Sequence, residues 1–245
     1  MRVYRIAEQN IGIEALHDRV YFRCTAYETE GAPDFVVRTV PADIDRERER
    51  SAREDRLEGR PVRAWSDEYL EELAIYRQIA EIMPACDTFL FHGSAVAVDG
   101  LGYLFAAKSG TGKSTHARLW QQLLGDRLIY VNDDKPLIRI TRQGALVCGT
   151  PYDGKHRRST NTAVPLETVC LLRRGEQNAI RPIDAGEAFP RLLQQAYSPQ
   201  DRAALQRTVA LLRGLTERVR LYELSCNMDI EAAQVAFEAM APAKR

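Results

Sequence analysis

The chain has 245 residues, 45% of them hydrophobic and 28% charged, the balance of a globular protein with material for a sizeable core. Lysine plus arginine equals aspartate plus glutamate, at 34 each, so no global basic field exists to draw nucleic acid or an anionic membrane. The opening MRVYRIAEQN has no apolar core of signal-peptide length and no apolar run spans a bilayer, which sets the expectation of a cytoplasmic protein. The five cysteines (Cys24, Cys86, Cys148, Cys170, Cys226) are scattered, with no Cys-x-x-Cys pair, and read as buried free thiols rather than zinc ligands or disulfides.

In chain order, β-type runs at 3–6, 20–26 and 35–40 predict a small sheet. Residues 43–60 interleave acids and arginines with little net charge, and predict an exposed helix or a connection. Residues 66–83 predict a helix. Ser66 caps it, Asp67, Glu68, Glu71 and Glu72 suit its positive end, Leu70, Leu73, Ile79 and Met83 recur at helical spacing, and Pro84 stops it. A small N-terminal α+β region thus covers 1–85, and a second domain is expected over 86–245.

Two apolar runs, 89–98 and 101–106, flank Asp99-Gly100, a hairpin signal. The second run feeds a glycine-rich loop, then a helix over 112–124 that Gly125 ends. A short strand follows at 128–131 and closes on Asn132-Asp133-Asp134. Strands at 136–140, 145–148, 168–173 and 218–224 mix with helices at 185–196, 199–215 and 229–240, so the class is α/β.

The chemistry gathers in four segments. Ala107-Lys108-Ser109-Gly110-Thr111-Gly112-Lys113-Ser114-Thr115 fits a Walker A loop with alanine in place of the first glycine. Small residues let backbone N–H groups of Ser109 to Thr115 surround phosphate oxygens at a helix N-terminus, with Lys113 for the β- and γ-phosphates and the Ser114 hydroxyl for Mg²⁺. Asp133 and Asp134, about twenty residues after Lys113, end a strand that a strand–loop–helix–strand unit brings to the same sheet edge. One acid serves the metal and the other faces an acceptor hydroxyl. Phe91-His92-Gly93-Ser94 precedes the strand pair and brings His92 towards the acids. Finally, residues 149–161 combine Gly149, Pro151, Gly154, Lys155, His156 and Arg157, which suits a mobile flap over an anionic substrate.

Together these segments resemble the HPr kinase/phosphorylase family, within the phosphoenolpyruvate carboxykinase-like P-loop superfamily. His92-Gly93, the hairpin over Asp99-Gly100, Ser109-Gly110-Thr111-Gly112-Lys113-Ser114 and Asp133-Asp134 match in order and spacing, firmly over 88–139 and loosely to residue 240. A bacterial branch of it is closer still, through Ser-Gly-Thr-Gly-Lys-Ser-Thr-His, Asn-Asp-Asp-Lys-Pro and Gly-Thr-Pro with Gly-Lys-His. Members of that branch accompany peptide-modification genes. The resemblance implies a P-loop core of mixed sheet flanked by helices and an ATP- and Mg²⁺-dependent phosphotransferase acting on a hydroxyl of a peptide, protein or small molecule. It implies that His92 assists one aspartate, that Asp133 and Asp134 share base and metal duties, that Lys113 stabilises phosphate, and that the chain can form a homo-oligomer. The chain departs from true HPr kinases in its N-terminal region and lacks their glutamate- and arginine-containing signature after the acids, which argues against HPr as acceptor. A nucleotide-sensing module without chemistry and a plain ATPase are the competing expectations.

Overall fold

The structure is a computed structural model that describes residues 1–57 and 59–242; of the charged stretch 43–60, Glu58 falls outside it. The chain divides into two compact units, Met1–Ile82 and Met83–Arg245. Among the described residues, no helix is long and apolar enough to cross a membrane.

The first unit contains β1 (Arg2–Ile6), β2 (Gln9–Glu14), α1 (Asp18–Cys24), β3 (Phe35–Arg38), α2 (Pro41–Leu57) and α3 (Asp67–Ile82). β2 is central, antiparallel to β1 and parallel to β3. Residues 20–26, expected as a strand, are helical instead. Val20, Cys24 and Tyr27 are buried at helical spacing, so the packing of one face overrides the β preference of Val20, Tyr21 and Phe22. The charged stretch is a helix through Leu57, with Glu47 on α2 accepting from the Arg77 guanidinium of α3 (2.6 and 3.0 Å). Ser66 Oγ accepts from the Tyr69 N–H (3.3 Å) at the start of α3, as its sequence predicts. The Glu71 carboxylate, fully buried, accepts from His17 N–H (2.8 Å), His17 Nδ1 (2.6 Å) and Thr39 Oγ1, which accounts for a charge inside this unit.

The second unit contains β4 (Thr88–Leu90), β5 (Ser94–Val98), β6 (Leu101–Ala106), α4 (Lys113–Leu124), β7 (Leu128–Asn132), β8 (Leu137–Ile140), β9 (Ala145–Cys148), β10 (Ala163–Arg174), β11 (Ala179–Pro182), α5 (Ala185–Leu193), α6 (Arg202–Thr216), β12 (Arg220–Cys226) and α7 (Ile230–Met240). These strands form a nine-stranded mixed sheet whose main order is β4-β8-β9-β10-β6-β5-β7, with β12 beside β10 and β11 beside β12. β10 is parallel to both β6 and β12, while β5 lies antiparallel between β6 and β7. β6, β7, β10 and β12 therefore all run the same way, and their carboxyl ends share one edge.

The alternation along β6 divides the core. Leu104 and Ala106 join Val169, Leu171, Leu192, Leu211, Leu212 and Leu215 on the face covered by α5 and α6. Tyr103 and Phe105 join Trp120, Ala232, Ala233 and Ala236 on the face covered by α4 and α7. The β5–β6 hairpin turns on Asp99 (φ 52°) and Gly100 (φ 82°), both left-handed as a two-residue turn of this kind requires. The apolar run 89–98, by contrast, is two strands broken at His92-Gly93, because β4 pairs with β8 while β5 pairs with β6 and β7.

Under α4, the Trp120 Nε1–H donates to His116 Nε2 (3.1 Å), and burial pushes the His116 imidazole from 6.5 down to about 4. An unfolded histidine takes up its proton near 6.5, so between 6.5 and about 4 the unfolded chain binds the extra proton and stability rises with pH. The contribution lost at the acid end is on the order of 3 kcal/mol. We expect His116→Phe to flatten the pH dependence of the unfolding free energy across that window by about this amount. An unchanged slope in denaturant titrations would contradict it.

Candidate functional site

Four strands, β6, β7, β10 and β12, end at the sheet edge that carries the glycine-rich loop. The loop leaves β6 and enters α4 through Gly110 (φ 78°) and Gly112 (φ 124°), conformations that a Cβ disfavours. Ser109, Gly110 and the Lys108 side chain are exposed, whereas Lys113 is 9% exposed on the first turn of α4. Lys113 Nζ donates to Ala107 O (2.9 Å), which anchors the ammonium across the base of the loop. Burial lowers its pKa, and the Asp134 and Asp133 carboxylates oppose that shift.

Asp133 and Asp134 follow the last residue of β7. Asp133 is buried, and its Oδ1 accepts from Ser94 Oγ at the start of β5 (2.6 Å). Its Oδ2 is buried without a hydrogen-bond partner. Burial raises the Asp133 pKa; the hydroxyls of Ser94 and Ser114 and the charges of Arg158 and His156 pull it back. Asp134 is partly accessible, ion-paired to Lys135, with His92 Nε2 at 3.7 Å from its Oδ1. Burial, then Lys113 and Lys135, lower His92 to about 4 against the pull of Asp134. His92 is therefore neutral near pH 7.

Asn132 shapes this corner. It is fully buried, and its Oδ1 accepts from the N–H of Asp134 (2.9 Å) and of Lys135 (2.6 Å), turning the chain directly after β7. Its Nδ2 donates to Thr150 O (3.1 Å) and Thr150 Oγ1 (2.9 Å), so the same side chain ties the acids to the next loop. That loop is strapped down. Asp133 N–H donates to Arg158 O (3.0 Å), Thr160 N–H to Val131 O (3.3 Å), and the Arg158 guanidinium donates to Tyr130 Oη (3.0 Å). Gly154 (φ 69°) lies against Asp134, where an added Cβ would meet Asp134 Cβ at 3.0 Å.

The structure thus brings His92, Lys113, Ser114, Asp133 and Asp134 to one corner. Of the flap residues, His156 is close enough for its charge to act on Asp133, while Lys155 and Arg157 lie on the exposed tip with it. Sequence reasoning passed over Ser94, the role of Asn132, and Arg174 at the end of β10, whose guanidinium donates to Gly110 O (2.6 Å). Ser94 and Asn132 stand beside residues the pattern singles out; Arg174 is about sixty residues from the loop and carries no local signal.

Among the described residues, no group of three or more His, Cys, Asp or Glu side chains is clustered to hold a metal. Magnesium needs fewer, since it commonly takes one or two carboxylates and completes its shell with water and phosphate oxygens. The unpartnered Asp133 Oδ2, with the Ser114 hydroxyl near the same carboxylate, fits that chemistry.

Residues 66–230 match the family model described as SynChlorMet cassette protein ScmC. The chain belongs to the ScmC family. The match takes in the glycine-rich loop, both acids and the strapped loop. A search of curated proteins finds no match. Among solved structures, the Hpr(Ser) kinase/phosphatase from Coxiella burnetii is similar over 61% of this chain and 89% of that one, at 10% identity and a TM-score of 0.37. Family membership lies with ScmC, not with the HPr kinases.

Asn132→Asp keeps the oxygen that turns the chain and replaces the donor facing Thr150 O with a second acceptor. We expect it to lower the unfolding free energy by about 2–4 kcal/mol, measured by denaturant titration. A change under about 0.5 kcal/mol would show that Asn132 is not the clamp described.

Proposed function

We propose that this ScmC-family protein is an ATP- and Mg²⁺-dependent phosphotransferase that moves the γ-phosphoryl group to a hydroxyl, on a peptide side chain, a protein or a small molecule. The observation that carries the reading is a buried ammonium, Lys113, on the first turn of α4, facing two carboxylates at the end of a neighbouring strand. An ammonium has three donors, and the one hydrogen bond Lys113 makes among the described residues is to Ala107 O. The remaining donors suit phosphate oxygens.

The two acids differ in ways that suit a division of labour. Asp133, buried with one oxygen unpartnered and Ser114 nearby, suits the metal. Mg²⁺ bound with the nucleotide would be held there by Asp133 and Ser114 and would offset phosphate charge. Asp134, more accessible and faced by a neutral His92, suits the acceptor. The acceptor oxygen bonds to the γ-phosphorus, the bond from that phosphorus to the β,γ-bridging oxygen breaks, and Asp134 takes the hydroxyl proton, leaving ADP. Loop N–H groups from Ser109 to Thr115 and the Lys113 ammonium stabilise the charge spread over the transferring group, and positioning supplies most of the remainder. The exposed tip with Lys155, His156 and Arg157 faces solvent and suits contact with an anionic portion of the acceptor. Nucleic acid and membrane are not partners in this reading.

Lys113→Ala should cut phosphoryl transfer about a hundredfold or more with an unchanged circular-dichroism spectrum, measured with γ-labelled ATP against a panel of peptides and hydroxyl-bearing amino acids. Transfer at the parent rate would remove Lys113 from the mechanism. Asp133→Asn and Asp134→Asn should both lose transfer, with the Mg²⁺ concentration for half-maximal nucleotide binding rising only in Asp133→Asn. A rise in Asp134→Asn alone would reverse the two roles.

A further inference from the structure

Two recesses of opposite character share the glycine-rich loop. In one, of about 290 Å³, Lys108, Arg173, Arg174 and Arg191 converge beside Ala107 and Thr111. The other is a cleft of about 440 Å³ between residues 110–115 and the carboxyl ends of β10 and β12. Its size falls in the roughly 300–1,000 Å³ range of small-molecule sites. Its walls are largely apolar: Leu119 and Leu172 are buried, and Met228, 79% exposed, stands after β12. Arg174 lines both recesses and donates to Gly110 O between them.

The strand order gives this cleft a fixed relation to the acids. β6 carries the loop; β10 and β12 lie on one side of it, and β5 and β7, with Asp133 and Asp134, lie on the other. A ligand with an apolar ring at the ends of β10 and β12 and a polyanionic tail across the loop would direct that tail at Lys113 and the acids. Open α/β sheets bind ligands at this carboxyl edge. The wall also holds an unpartnered donor. Because Trp120 Nε1–H can only donate, His116 Nε2 is the acceptor and the ring proton sits on Nδ1, which is buried without a partner.

We propose that this cleft seats the nucleobase and ribose of the triphosphate, between Leu119, Leu172 and Met228, and so makes the protein select a nucleoside triphosphate over bare polyphosphate. The proposal rests on the loop being a triphosphate site. Calorimetric titration of the full chain with Mg²⁺-ATP and with Mg²⁺-tripolyphosphate, which lacks the nucleoside, tests it. We expect ATP to bind about tenfold tighter or more. Leu119→Trp, which fills the cleft, should weaken ATP about tenfold and leave tripolyphosphate within about twofold. Met228→Ala, at an exposed position that spares the fold, should weaken ATP about threefold in the same selective way. Tripolyphosphate binding as tightly as ATP, or variants that weaken both ligands equally, would overturn the cleft assignment while leaving the loop assignment standing. Binding of neither ligand to the parent chain would overturn the loop assignment and the cleft with it.

Discussion

A cation held out of water next to two acids is the constraint on which the rest depends. Lys113 cannot be buried without an answering charge, since desolvation of an ammonium costs several kcal/mol. Its answer is the field of Asp133 and Asp134, which end at the same sheet edge because β5, antiparallel between β6 and β7, leaves those two strands pointing the same way. The hairpin turn at Asp99-Gly100 is therefore more than a connection. It reverses the chain so that a loop and an acid pair, encoded about twenty residues apart, meet at one edge. Neither Lys113 nor Asp133 is fully satisfied by the protein: the ammonium keeps donors, and Asp133 Oδ2 keeps an acceptor. Groups left in that state are what the proposed reading assigns to phosphate and metal.

Rigidity at this corner comes from groups other than the candidate acids themselves. Asn132 joins the turn at the acids to Thr150, and the backbone of 158–160 closes over the end of β7. The carboxylates consequently sit on a frame with little freedom. The tip at 155–157 is exposed.

Much of this was legible from the residues alone. The glycine-rich loop, the helix after it and the apolar strand ending in Asn132-Asp133-Asp134 announce themselves, because glycine and acid placement are local signals. The hairpin was equally plain in Asp99-Gly100, where both residues adopt positive φ. What failed was decided by packing at a distance. Residues 20–26 look like a strand until Val20, Cys24 and Tyr27 find a common buried face, and 89–98 looks like one strand until its two halves find different partners. β2 and β11 were passed over because Gly12 and the polar residues near Ala179 mask short pairings that only neighbouring strands reveal. The Arg174 contact with Gly110 and the Ser94 contact with Asp133 could not be read from spacing, since each joins segments distant in the chain. The motifs resemble those of HPr kinases, and the family that the chain belongs to, matched over 66–230, is ScmC.

The most direct test is whether the corner holds a triphosphate at all. Isothermal titration of the full chain with ATP, with and without Mg²⁺, should give saturable binding at or below about 1 mM that strengthens when the metal is present. Titrations that stay flat for adenine and guanine nucleotides at that concentration, metal included, would contradict the account at its root.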